Sequence, residues 1–346
     1  MGGNAVGSIL AMTLALWAVG PSSALADDVA GVATYTAADR QDKLLEGARR
    51  EGGLTLYSSA TTADMAVVLP AFEAKYGLKV KFWRGDSEGI LQRAVTETRG
   101  GRNEFDVIET SGATMEALRR EELLQQIVSP VFADISPKGR YPHGAWIASR
   151  FQVQSNAYNT AAIRPEDAPK SWDDLASPRW KGKIGVEAEN AIWLGALAQY
   201  MGEDKAIALF RAIGANGVTL RKGHTLLANL VASGETPIGL GLYRYREEQL
   251  RNEGAPIAPL DFEPLVVHPI GVGLSRQAPH PNAALLFIDF LLTDAQKIFL
   301  GRETRPTNIR VAPEPSPAVY IDHAIALDQS TKWRKIFRDV LVSRPR

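Results

Sequence analysis

The stretch Leu54-Thr55-Leu56-Tyr57-Ser58-Ser59-Ala60-Thr61-Thr62-Ala63-Asp64 decides how this chain is read. A short alternating apolar run ends in small hydroxyl residues. A helical pattern follows at once, with Met65, Val67, Val68, Leu69 and Phe72 as its apolar positions. A strand that hands over to a helix through Ser and Thr leaves free backbone N–H groups at the helix start, where the helix dipole adds partial positive charge. Such a turn holds an anion or the oxygens of a small polar ligand. Thr61 or Thr62 acting only as a helix cap is the alternative, and the sequence leaves both open.

The same unit repeats downstream. Leu78–Trp83 reads as a strand, Gly85-Asp86-Ser87 as a turn and cap, and Glu88 to Arg99 as a helix. Phe105–Glu109 reads as a third strand, after which Ser111-Gly112 opens another helix. Strand, polar turn and helix three times over is the pattern of parallel βαβ units. Ligands of such sheets bind at the carboxyl ends of the strands, so the three polar turns are expected on one edge. Upstream, Thr36 is expected to cap a helix through Ala37 to Arg50, which Gly52-Gly53 stops. Pro70 is expected to kink or split the helix that ends at Tyr76.

Trp146–Tyr158 is extended, with Gln152, Gln154 and Asn156 among apolar residues, and reads as a crossing between two lobes. A second α/β region follows. It has helices over Ala191–Met201, Asp204–Gly214 and Thr225–Ser233, and a strand over Pro237–Tyr243. Asp261–His268 reads as the return crossing. Asn282 is expected to cap an apolar helix over Ala283–Leu292, with a further helix from Thr293 and Asp294 to Leu300. The fold class is α/β with two lobes, each a mixed sheet flanked by helices, joined by two hinge crossings. The expected division is 27–147 plus 268–310 for lobe 1, and 148–267 plus 311–346 for lobe 2 and the C-terminal tail.

Residues 1–26 contain no charged side chain. Ala5 to Val19 is mostly apolar, and Ala24-Leu25-Ala26 fits a small-x-small cleavage site. This reads as a secretory signal peptide, with an uncleaved anchor as the alternative. The chain has no cysteine, which excludes disulfides, thiolate metal sites and a Cys nucleophile. Lys+Arg equals Asp+Glu at 39 each, a balance that argues against nucleic-acid binding. No G-x-S-x-G, H-E-x-x-H or G-x-x-x-x-G-K-[ST] motif is present, so an enzyme, for instance a periplasmic hydrolase, is the lesser expectation. The five histidines lack metal-ligand spacing, and His224, after Lys222-Gly223, is the one placed near a cleft-side loop. Glu187, Glu189 and Asn190 follow a strand near the same edge. Trp172 and Trp180 read as packing anchors.

Several stretches together resemble one family: Gly53–Ser59, Gly85-Asp86-Ser87-Glu88, Ser171-Trp172-Asp173-Asp174-Leu175 leading to Pro178–Ile184, Leu226–Glu235, and Pro281–Gln296. They resemble the periplasmic solute-binding proteins of ABC importers, specifically the ferric-iron-binding branch and its relatives. The resemblance implies the type II periplasmic binding protein fold, a hinge motion that closes on ligand, a monomer, and a permease and ATPase as inner-membrane partners. A receptor-docking ligand sensor is the related alternative. In the ferric branch a His, a Glu and two adjacent Tyr hold the metal together with a synergistic anion. On this chain Glu88 falls at the glutamate position and Thr61 near the histidine position. Tyr243-Arg244 falls at the tyrosine pair, with a second tyrosine displaced to Tyr245. The implied metal ligands are therefore Glu88, Tyr243 and Tyr245. Ser58, Ser59, Thr61, Thr62, Ser87, Ser111, Ser149, Arg150 and Arg244 are candidates for the rest of the ligand shell. No resident cofactor is required, and Fe(III) with its anion would be cargo. Arg244 and Arg246 beside the tyrosines instead favour a small anionic solute such as a carboxylate, phosphonate or phosphate ester. Both ligand classes stay open.

Overall fold

Local capping announces the first three structural units. The computed structural model describes Gly2 and residues 29–341; apart from Gly2, the signal peptide expected at 1–26 lies outside the described residues. Strands β1 (Gly53–Ser58), β2 (Lys79–Arg84) and β3 (Val107–Ser111) pair in parallel in the order β2-β1-β3. Each feeds a helix through a side-chain cap. Thr61 accepts from Asp64 N at 3.1 Å to start Thr62–Tyr76. Asp86 accepts from Gly89 N at 2.7 Å to start Ser87–Arg99. Ser111 accepts from Thr114 N at 3.4 Å to start Gly112–Arg120. The cap satisfies one of the donors that every helix start leaves open.

Three local expectations are corrected. The helix expected after Thr36 begins at Arg40 instead. Its start is fixed by the buried Arg40, whose Nη1 reaches Asp289 at 2.5 Å. Pro70 does not split its helix, which runs unbroken over Thr62–Tyr76. Pro70 lies on the exposed side, where water can take the carbonyl left without a donor. Asn282 is not a cap, because the helix starts one residue earlier, at Pro281. Its side chain donates to Glu51 Oε1 at 2.6 Å instead.

The remaining strands are β4 (Leu124–Gln125), β5 (Ile147–Asn159), β6 (Ile184–Glu187), β7 (Thr219–Arg221), β8 (Ile238–Tyr243), β9 (Ile257–Leu260), β10 (Leu265–Ser275), β11 (Arg305–Pro306) and β12 (Ala318–Tyr320). The main path is β2-β1-β3-β10-β5-β8-β6-β7. It has two matching halves. In each, three parallel strands carry a fourth antiparallel one, β10 on β3 and β5 on β8. The two antiparallel strands then pair with each other, from Val266↔Gln154 to Val272↔Ile147. They are the crossings between two lobes. The first was expected over Trp146–Tyr158 and is found there. The second lies further along than the expected Asp261–His268, since Pro264 has no N–H to give the ladder, which begins at Leu265.

Each lobe has its own core. Phe72 meets Phe287 edge-on at 5.0 Å and Phe290 at 5.5 Å, beneath Leu54, Leu56 and Met65. The helix Pro281–Leu292 is buried at every residue but Asn282, which accounts for its apolar sequence. In the other lobe Trp172 packs on Phe262 at 5.2 Å and on Trp193 at 5.7 Å. Trp180 and Trp333 join the same core, so both tryptophans of the Ser171–Ile184 region are packing anchors. The C-terminal region crosses back over the lobes. His323 packs against Gly112, while Trp333 packs against Gly195.

Candidate functional site

The carboxyl ends of the first three strands meet as the sequence pattern requires. Thr110, fully buried on β3, places its Oγ1 3.1 Å from Ser59 Oγ and 3.0 Å from Ser87 Oγ. A hydroxyl has one proton, so Thr110 donates to one serine at a time and accepts from the other. Ser111 continues the edge and donates to Thr114 Oγ1 at 3.1 Å. Ser59, Ser87 and Ser111 are part-exposed and line this edge. Thr61 is occupied with Asp64, and Thr62 is exposed on the first helical turn.

Ser58 and Ser149 turn inward instead. Both are fully buried and donate to one carboxylate, Ser58 Oγ to Glu109 Oε2 at 2.8 Å and Ser149 Oγ to Glu109 Oε1 at 2.9 Å. Arg150 Nη1 donates to Glu109 Oε1 as well. Glu109 is fully buried, so its charge is balanced by a fixed guanidinium and two hydroxyls, the condition under which a buried carboxylate is tolerated. The Arg150 guanidinium lies 5.3 Å from the Phe299 ring.

Across from this edge stands an aromatic cluster. Tyr243 ends β8 and Tyr245 lies in the first turn of the helix Arg244–Asn252. The change from strand to helix between them brings the rings to 6.1 Å at 24°. Two residues of a continuous strand would share a face; here the chain bend makes them neighbours. Burial pushes the Tyr243 phenol above its ordinary value. Tyr245 and Glu187 push the same way and Arg150 pulls it down. Tyr245 is raised chiefly by burial and then by Asp64, while Arg150 and Arg246 lower it. His224 lies over Tyr243, with ring centroids 3.9 Å apart. Its Nδ1 is 2.7 Å from Gly241 O, which makes Nδ1 the protonated nitrogen. Its Nε2 is 4.0 Å from Glu187 Oε2. Burial holds the imidazole below its usual pKa.

Some candidates point elsewhere. Glu88 is exposed and accepts from Gln92 Nε2 at 3.1 Å along its own helix. Arg244 is ion-paired with Asp261. Arg246 Nη2 donates to Asn229 Oδ1 at 3.1 Å, and Arg246 Nη1 is 3.6 Å from Glu253. Among the described residues no group of three or more His, Cys, Asp or Glu is arranged to hold a metal. Glu109 and Thr110 are the residues that sequence reading passed over. Their signal was a lone carboxylate inside a buried parallel strand, where only a partnered charge is admissible.

The fold and this two-walled cleft agree with what the chain is similar to. The family model for bacterial extracellular solute-binding proteins matches residues 57–298, and the chain belongs to that family. Iron uptake protein A1 of Synechocystis sp. is 24% identical over 267 residues, 72% of this chain and 73% of that protein. The Fe(3+)-binding periplasmic protein of Serratia marcescens is 26% identical over 204 residues, 58% of this chain and 59% of that one. The structure of the periplasmic binding protein AfuA from Actinobacillus pleuropneumoniae, with fructose-6-phosphate bound, superposes with a TM-score of 0.71 at 25% identity. That match covers 84% of this chain and 99% of the other. The architecture is therefore the two-lobed type II periplasmic binding protein fold. No helix among the described residues is long and apolar enough to cross a membrane.

Proposed function

We propose that this protein is the periplasmic solute-binding component of an ABC importer, and that its cargo is ferric iron held with an oxyanion in the cleft. The observation that carries the choice of iron is the pairing of Tyr243 and Tyr245, whose ring centroids lie 6.1 Å apart beside Glu187, with Arg244 and Arg246 engaged by Asp261 and Glu253. The two arginines that spoke for an anion at this turn are thereby neutralised. Hard oxygen donors remain, and these suit a small, highly charged cation. Arg150 supplies the charge for the accompanying anion. The names of the Synechocystis and Serratia relatives point the same way.

In this reading residues 1–26 direct export. Segments 27–147 plus 268–310 and 148–267 plus 311–346 move as two bodies about β5 and β10. The monomer acts by binding, not by catalysis. Closure buries the cargo and presents both lobes to a permease with its ATPase. Ligand shifts this equilibrium only as far as it prefers the closed form.

A visible absorption titration with ferric citrate tests the reading. Tyrosinate bound to Fe(III) gives a charge-transfer band. It is expected in the wild type and lost in Tyr243→Phe and Tyr245→Phe. A colourless protein at saturating ferric citrate would overturn iron as cargo.

A second reading, a phosphate ester, is favoured by the hydroxyl edge of Ser59, Ser87, Thr110 and Ser111 at three helix starts. The sugar phosphate bound to AfuA supports it. A thermal-shift comparison of fructose-6-phosphate with ferric citrate separates the two.

A further inference from the structure

We propose that Glu109 is a positioning residue for oxyanion binding, fixing the Arg150 guanidinium so that the edge of its fork not bound to Glu109 serves the anion in the cleft. The inference rests on the reading of Arg150 as the anion residue of the proposed site, and it adds the residue that aims it.

Three observations carry it. Glu109 accepts from Ser58, Ser149 and Arg150, which come from the end of β1 and from the crossing strand β5, so its carboxylate is held from two elements at no exposure. Only Nη1 of Arg150 is spent on Glu109. The Arg150 side chain is 6% exposed, and its Nε and Nη2 are not among the described buried polar atoms left without a partner. Nη1 is committed to Glu109, and the rest of the fork is not sealed inside the protein, so its planar edge is open to a carboxylate or phosphate entering the cleft. Finally, Arg150 acts on the phenols of both Tyr243 and Tyr245, which places its charge on the same cleft as the proposed cargo.

The sign of one substitution separates positioning from simple electrostatics. If Glu109 only adds negative charge near the site, Glu109→Gln strengthens anion binding. If Glu109 aims Arg150, the same change weakens it: the amide keeps the shape, but its single oxygen accepts on one side only and its NH2 can only donate to the serine on the other.

The experiment is calorimetric titration of the mature protein, without iron, with inorganic phosphate and separately with citrate, at fixed ionic strength. Wild type, Glu109→Gln, Arg150→Lys and the double variant are compared. We expect Glu109→Gln to weaken binding by about tenfold, and to have no further effect in the Arg150→Lys background. Ser58→Ala removes one bond to Glu109 from a residue that cannot reach ligand. It should weaken binding about two- to threefold when Arg150 is present and have no effect in the Arg150→Lys background; it serves if Glu109→Gln does not fold. Tighter or unchanged binding in Glu109→Gln, additive effects in the double variant, or a wild type that binds neither anion would overturn the proposal. Ferric citrate absorbance is read separately, so loss of the iron reading and loss of this one are distinguishable.

Discussion

His224 lies over the ring of Tyr243, with centroids 3.9 Å apart, and is tied by Nδ1 to the carbonyl of Gly241 in the strand that carries that tyrosine. The imidazole thus fixes a phenol without being hydrogen-bonded to it. His224→Ala is expected to weaken ferric citrate binding by about tenfold while leaving the charge-transfer band in place. Unchanged affinity would show that the ring contact does not orient the tyrosine.

Iron binding should release protons. Burial raises both phenols, so Tyr243 and Tyr245 are protonated in the ligand-free protein at neutral pH. Phenolate is the metal-binding form, and iron therefore displaces about two protons and binds more tightly as pH rises. Proton uptake by a weak indicator buffer during titration measures this. Binding with no proton release would contradict phenolate ligation.

Glu247, three residues after Arg244 in the first turn of the same helix, is fully buried, with Arg251 Nη1 at 3.9 Å from Oε1. Burial pushes its pKa up from 4.5 to about 7. The unfolded chain loses this proton near pH 4.5 and the folded one near 7. Glu247 is therefore least costly below the unfolded value, and stability falls as pH rises between the two. Glu247→Gln should stabilise the protein at pH 8 by at most ~3 kcal/mol, seen as a higher melting temperature, and change little at about pH 4.5. An equal effect at both pH values would mean that charge is not the cause.

A methyl group at Gly112 would fall on the ring of His323, a residue buried in the C-terminal crossing. Gly112→Ala should cost roughly 1–3 kcal/mol in urea unfolding. Adding His323→Ala should recover part of it. Equal losses in the single and double variants would place the strain elsewhere.

Closure should be visible in solution. Gln249 Nε2 donates to Arg302 O at 3.2 Å and Asn252 Nδ2 to Glu303 Oε1 at 3.2 Å, so the helix following the tyrosines touches the turn beyond Phe299. Small-angle scattering with and without ferric citrate should show a smaller radius of gyration in the bound protein. Gln249→Ala should enlarge the ligand-free radius. A radius that ignores bound cargo would rule out the hinge model.

Much of the scaffold was legible because its punctuation is local. Thr61, Asp86 and Ser111 each announce a helix within three residues, and Gly52 and Gly77 each close one in the left-handed conformation. The cleft was less so. Glu109 finds Ser149 and Arg150 forty residues away across an intervening strand, since β10 lies between β3 and β5. No local pattern encodes sheet order. The bend that joins Tyr243 to Tyr245, and the pairing of Arg244 with Asp261, likewise depend on where distant chain ends up. Glu88 was placed by resemblance of its turn, and the turn formed as expected, but its side chain lies along its own helix.

The crossings have one more consequence. β10 ladders with β3 of one half, β5 with β8 of the other, and the two with each other, so the lobes are joined through hydrogen-bonded backbone. In the proposed closure the lobes would approach by a change of twist distributed along these two hydrogen-bonded strands. Amide exchange at Val153 and Val267 should therefore stay slow in both the empty and the filled protein, while the opposing rims of the cleft travel furthest. Closure of this kind would be elastic bending of one continuous sheet, with the restoring force stored in the backbone between the lobes.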